Sequence, residues 1–184
     1  TSITKATAEG AELTIAGPAN FEATDESRIN ADAGGVALAI SLDSGAGAFG
    51  AAIAINEIGS TTTAGVIGGS LNMTAPGDLS VHAGSETDID ALTVGVAGSA
   101  SLGSSNNFAA SLAGSFSFND IENTTLATLQ DTDVDLLGDV IVTAEDASHI
   151  SSLAGGVAFS IAAGGSNGIG IALGIALRSE ERRV

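Results

Sequence analysis

The sequence predicts an all-β chain: a repetitive, parallel β-helix-like solenoid built from units of about 60 residues. Three observations predict it. First, strings return at long intervals: Gly77-Asp78-Leu79-Ser80-Val81-His82-Ala83 as Gly138-Asp139-Val140-Ile141-Val142-Thr143-Ala144, and Asn56-Glu57-Ile58 as Asn119-Asp120-Ile121. Second, the apolar residues alternate with a period of two, the mark of a β-strand. Third, no sustained i, i+3, i+4 apolar pattern occurs, and glycines inside a helix would cost about 1 kcal/mol each. Stacked antiparallel hairpins or a β-sandwich are the alternative architectures that the same pattern allows.

Taken in order, residues 1–177 form one repetitive β module. It holds a partial unit at 1–27, whole units at 28–88 and 89–149, and a partial unit at 150–177. Ile29, Ile89 and Ile150 each head a small-residue, glycine-rich stretch. A strand then sets Val36, Leu38, Ile40 and Leu42 against Ala37, Ala39 and Ser41, and its counterpart sets Val157, Phe159 and Ile161 against Ala158, Ser160 and Ala162. Polar glycine turns follow at Asp43-Ser44-Gly45, at Ser104-Ser105-Asn106-Asn107 and at Gly164-Gly165-Ser166-Asn167-Gly168. A second alternating strand carries Ile53 and Ile55, or Phe116 and Phe118, and ends in Asn-acid-Ile. A Thr-rich strand comes next (Thr61-Thr62-Thr63, Thr124-Thr125), then the Gly-Asp-Leu/Val strand. Pro18 and Pro76 fall in turns.

The opposite face of these strands is Ala, Gly and Ser with hardly a charge, so a second layer can approach closely. Both faces are therefore expected to be covered, by neighbouring coils or another layer. The uncharged stretch 153–177 is long enough for a membrane helix, but its paired glycines and its place in the repeat assign it to two strands joined by a turn. Residues 178–184 break the pattern and hold three of the five basic residues; they form a tail set aside from the fold, and the chain itself is expected to be a fragment of something longer.

Composition removes whole classes of function. The 184 residues carry 22 acidic and five basic side chains, a net charge of −17. There is no basic stripe to neutralise phosphates, so nucleic acid is excluded as a partner. Membrane insertion and anionic membrane surfaces are disfavoured. Without cysteine there are no disulfides, thiolate metal sites or thiol nucleophiles. Trp and Tyr are absent, which removes the usual aromatic platforms for sugar rings. Positive mean hydropathy and regular strands separate the chain from acidic disordered sequences.

The Asn-acid-Ile, Thr-Thr, Gly-Asp-Leu/Val-x-Val-x-Ala and Gly-Gly-Val-Ala elements, in this order, resemble the repeats of very large secreted bacterial proteins. These are the filamentous adhesins related to filamentous haemagglutinin and to fusobacterial leukotoxin. The resemblance covers roughly residues 10–177. It implies a β-rich rod exported to the cell surface, working in adhesion or matrix building, with no catalytic residues to transfer. The longer period departs from the haemagglutinin repeats, so that one unit corresponds to about three coils or includes antiparallel hairpins.

Few residues suggest chemistry. Asp131, Asp133, Asp135 and Asp139 alternate in a turn, the way an oxygen-rich Ca²⁺ site begins, although the EF-hand glycine and glutamate spacing is missing. A solvated acidic turn is the plainer account. Asp25-Glu26, Glu86-Asp88-Asp90 and Glu145-Asp146 are expected at one recurring turn, as a solubilising edge against stray strand pairing. His82 and His149 share no repeat position. Asn56 and Asn119 do share one, and are expected to form a structural amide ladder or hold a turn. The two threonine ranks are too few for an ice-binding array, and no phosphate loop exists.

The expectation is thus a non-catalytic structural or adhesive repeat module of a large exported bacterial surface protein. It forms or extends a β-rich rod, and its partners are neighbouring repeats, further copies of itself, or host and cell-surface ligands. Ca²⁺ is the one cofactor in view. The alternatives are a carbohydrate-binding module and a polysaccharide-active β-helix enzyme. The enzyme would need cationic groups near its acids, and only Lys5 and Arg28 precede the tail.

Overall fold

A computed structural model describes residues 1–43, 45–104, 106–164 and 167–183. Ser44, Ser105, Gly165 and Ser166, assigned above to glycine turns, and Val184 of the tail lie outside the described residues. The described chain is all-β, with no helix. Its strands are β1 (Ser2–Ala16), β2 (Ala19–Ser41), β3 (Gly45–Ala75), β4 (Leu79–Ser101), β5 (Asn107–Gln130), β6 (Asp133–Asp135), β7 (Val140–Ala162) and β8 (Gly168–Arg183).

These strands form two parallel sheets. Sheet A has the order β1-β3-β5-β8, with the short β6 beside β3, and sheet B has the order β2-β4-β7. The chain therefore crosses from one sheet to the other at every turn, and one circuit contains one long strand of each sheet. This is a flattened parallel β-solenoid, and no antiparallel pairing occurs among the described strands. The expectation of three coils per unit, or of internal hairpins, is corrected: one circuit accommodates a whole unit.

The register explains the recurring strings. Ile29 lies opposite Ile89, and Ile89 opposite Ile150. Asn56-Glu57-Ile58 lies on Asn119-Asp120-Ile121, and Phe21, Val81 and Val142 form one rank. Stacking like on like lets side chains of one kind form continuous rows while the backbone ladder runs between coils.

Strand boundaries are fewer than the sequence suggests. The second alternating strand and the Thr-rich strand are one continuous β3, and the Gly-Asp strand runs straight into the next alternating strand in β2, β4 and β7. The acidic pairs at Asp25, Glu86 and Asp146 consequently sit in mid-strand of sheet B rather than in turns. Polar residues inside these strands do not end them, because the backbone ladder continues past each, and several, such as Asp25 and Asp146 beside Ser85, have a polar neighbour in the adjoining coil. The region 153–177 is two strands with a turn, as the glycines indicated. The tail also joins the fold: β8 continues to Arg183 beside Glu122, and Arg178 and Arg182 donate to the Ser152 and Ser148 carbonyls at 2.6 and 2.7 Å.

The interior changes character along the strands. Near the turns at Gly17 and Gly77 it is an ordinary apolar core, with Val66, Leu71, Leu79 and Val81 fully buried. Next comes a polar seam. Beyond it, Ile58, Ile89 and Ile121 stack, flanked by Ile29 and Ile150. The far half of every coil is lined inside by Ala, Gly and Ser, apart from Thr93 and the turn residue Asn107.

Candidate functional site

Two features stand apart from the ordinary core: the polar seam between the sheets and the far half of the coils, here called the wing.

The seam is built by inward positions of both sheets. Asn123 on β5 points at β4 and β7. Its amide nitrogen lies 2.8 Å from Thr87 Oγ1, 2.9 Å from Asp146 Oδ2 and 3.0 Å from Ser148 Oγ. One register position earlier in the stack stands Ser60, within 3.3 Å of Ser85 Oγ. At the first coil, Asp25 accepts hydrogen bonds from Ser2, Thr4 and Ser27. Burial pulls the Asp25 carboxyl upward, and the hydroxyls of Ser2, Ser27 and Thr4 outweigh it, so the group sits below its ordinary value. Further along, Asn56 Nδ2 donates to Asn119 Oδ1 at 2.7 Å, and Asn119 donates to Ser117 Oγ at 3.1 Å. The expected amide ladder is thus present in these two coils. The third position of its rank is Glu180.

Among the described residues the seam has no cleft and no nucleophile–base pair; most of its polar groups bond to one another, while Thr62 Oγ1 and Asn123 Oδ1 are buried without a partner. Sequence reasoning singled out Asn56 and Asn119 but passed over Asn123 and Asn107. Asn107 clamps the turns: its amide lies 2.7, 2.8 and 2.9 Å from the carbonyls of Gly103, Ala163 and Gly164. Its only signal was an Asn at the end of a glycine turn.

In the wing the sheets nearly touch. A methyl group at Gly35 would overlap the Ala51 carbonyl. One at Gly50 would overlap that of Val96, and one at Gly95 that of Gly114. Each glycine Cα is in contact with the opposite backbone, where face-to-face sheets normally stand ~10 Å apart. With no room inside, every large side chain of the wing points outward. Val36, Leu38 and Ile40 on sheet B are 70–75% exposed, and Phe49 and Ile53 on sheet A are 65% exposed. This corrects the expectation that both strand faces are covered. The small-residue face is sealed by the opposite sheet, and the large apolar face is bare on both sides of the molecule.

The candidate calcium residues lie at the opposite end. Asp133 and Asp135 flank Val134 on β6, beside Ser70 and Asn72 of β3. Asp131 occupies a left-handed backbone position with φ 50°, and the Asp139 amide donates to Asp78 Oδ1 at 3.0 Å. All four are exposed. Among the described residues no three His, Asp or Glu side chains converge on one point. His82 and His149 lie on the outer face of sheet B, far apart along the strands. Arg28 on that face reaches Asp90 at 2.6 Å and Asp88 at 3.4 Å. On sheet A, Glu57, Glu122, Thr61 and Thr124 line a shallow open depression.

Fold and seam define a parallel β-solenoid of unusually wide, two-strand coils. No family model matches the chain, and neither a curated protein nor a solved structure matches it.

Proposed function

We propose that this chain is a non-catalytic structural module, the repetitive body of a large exported bacterial surface protein, in which stacked coils extend a β-rich rod. One observation carries the reading. Sheet B pairs without a break from Ala19–Leu79 to Ser41–Ser101, and again from Leu79–Val140 to Ser101–Ala162. A ladder of that kind accepts further coils at either end, and each new coil covers an edge that would otherwise stay unpaired. The side chains agree with this role: they bond from coil to coil, as Asn56 does to Asn119, and converge on no cleft. The resemblance to the filamentous adhesins supplies the exported, cell-surface setting, with neighbouring repeats and surface ligands as partners.

The test is to duplicate residues 89–149 in frame. Because Ile89 and Ile150 are register partners, the insertion adds one complete coil. A structural solenoid is expected to unfold in one cooperative step at a higher temperature than the parent, as a further nearest-neighbour interface is added. A lower melting temperature or two separate transitions would overturn the reading. Release of reducing sugar from acidic polysaccharides would instead move the function to the depression at Glu57 and Glu122.

A further inference from the structure

We infer that the outward face of sheet A in the wing is a docking surface for a second copy of this chain. The inference deepens the structural role proposed above and rests on it.

The face is contiguous and apolar. Three strands about 4.8 Å apart and some eleven residues long at about 3.3 Å each present about 500 Å², the size of the largest apolar patch on an ordinary monomer, which is often functional. Two such faces in contact would bury about 1,000 Å², the floor for a specific pair, and every added coil would enlarge it.

Its relief fits its own mirror position. Along β3 the outward residues run Gly45, Gly47, Phe49, Ala51, Ile53, Ile55. A two-fold axis lying across the strands at residue 50 brings Phe49 over Ala51, Ile53 over Gly47 and Ile55 over Gly45. On β5, whose residue 113 shares that rank, the same axis brings Leu112 over Gly114 and Phe116 over Ala110. Large meets small at each of these positions, which are β3 and the middle of β5; at the outer rank of β5 Phe118 falls over Phe108, and on β8 Leu173 falls over Ile175 and Ile171 over Leu177. The grooves are open: nothing lies within 4 Å of where a Cβ at Gly47 would stand, and only the Ile175 carbonyl, at 3.9 Å, approaches one at Gly114. On β8 every outward position from Ile169 to Leu177 is large, so that strand closes the grooves at one edge. Sheet B offers no equivalent, because its middle glycine, Gly98, is already covered by the Phe159 ring.

Charge selects the same arrangement. In the wing segments 33–56, 92–119 and 153–177 the only ionised side chain is Asp43; the other 21 acids lie in the body or beyond Leu177. A two-fold axis across the strands makes the paired wings antiparallel. The acidic bodies then point away from each other, whereas a parallel pair would stack them. A lipid bilayer is the competing occupant of an apolar face. Vesicle flotation in the experiment below separates it from a second copy.

The experiment is sedimentation equilibrium from micromolar concentrations upward, with circular dichroism to confirm folding. The full chain is expected to show a monomer–dimer equilibrium. Ala51→Leu and Gly114→Leu add apolar surface but fill the grooves, and each should weaken the dimer at least tenfold. The sheet B control Leu38→Thr/Ile40→Thr should leave it unchanged. A chain that stays monomeric throughout, groove-filled variants that associate as well as the parent, or loss of the dimer in the sheet B control would each overturn the inference. So would flotation of the parent with neutral phosphatidylcholine vesicles. Applying the coil duplication to the same proteins separates the two ideas: no dimer with a normal gain in melting temperature defeats the docking surface alone, and loss of that gain defeats the structural role.

Discussion

Asn56 and Asn119 lie one above the other inside the solenoid, with the amide of the first donating to the carbonyl oxygen of the second at 2.7 Å. Both are buried, Asn119 completely, so neither can exchange its partner for water. Asn119→Ala would leave the Asn56 amide without an acceptor, a loss of about 1–3 kcal/mol. Chemical denaturation is the measurement. A double variant, Asn56→Ala/Asn119→Ala, should be less unstable than the sum of the single changes, because the pair is removed together.

The glycines of the wing set the distance between the sheets. Gly95→Ala would drive a methyl group into the Gly114 carbonyl and should destabilise the chain by about 1–3 kcal/mol, as overpacking does. Gly34, where a Cβ would meet nothing within 4 Å, is the control. Gly34→Ala should match or exceed the parent in melting temperature.

Acid should weaken the first coil through Asp25. Its native carboxyl titrates below its ordinary value because the hydroxyls around it outweigh the effect of burial, while an unfolded aspartate titrates near about 3.9. The unfolded chain therefore binds the proton first as pH falls. The contribution of Asp25 is complete above the unfolded value and disappears as pH drops through the native one. Asp25→Asn should cost stability at pH 7 and flatten the acid limb of a plot of stability against pH. An unchanged acid limb would show that Asp25 plays no part in it.

The Arg28 contacts to Asp88 and Asp90 should matter little. The Arg28 side chain is 60% exposed, and exposed ion pairs contribute roughly 0–1 kcal/mol. Arg28→Ala is expected to shift the denaturation midpoint only slightly, and less still in high salt.

Much of this architecture was legible in the residues. Alternation in Val36–Leu42 and Val157–Ala162 marked strands, and the matching of Asn56-Glu57-Ile58 with Asn119-Asp120-Ile121 located register partners. Two things were hidden. Alternation gives the two faces of a strand but not which one is inside, and the usual rule assigns the larger apolar face to the core. In the wing that rule fails, because Gly35, Gly50 and Gly95 let backbone meet backbone and leave no volume for Leu38 or Phe49. The acidic positions were also misplaced. Asp25 and Asp146 looked like turn residues because acids are rare inside strands, yet both stay in strand by accepting hydroxyl and amide hydrogens from the opposite sheet.

The circuit itself sets the proportions of anything built from this chain. Advancing one coil moves the ladder by a single strand spacing, about 4.8 Å, and uses the 60 residues from Ile29 to Ile89. The strand β4, 23 residues, spans about 75 Å at 3.3 Å each. About sixteen coils, on the order of a thousand residues, would have to be stacked before the array stood as tall as one turn is broad. Short arrays are therefore planks whose long dimension lies across the direction of growth, and only a giant polypeptide of such turns becomes taller than it is wide.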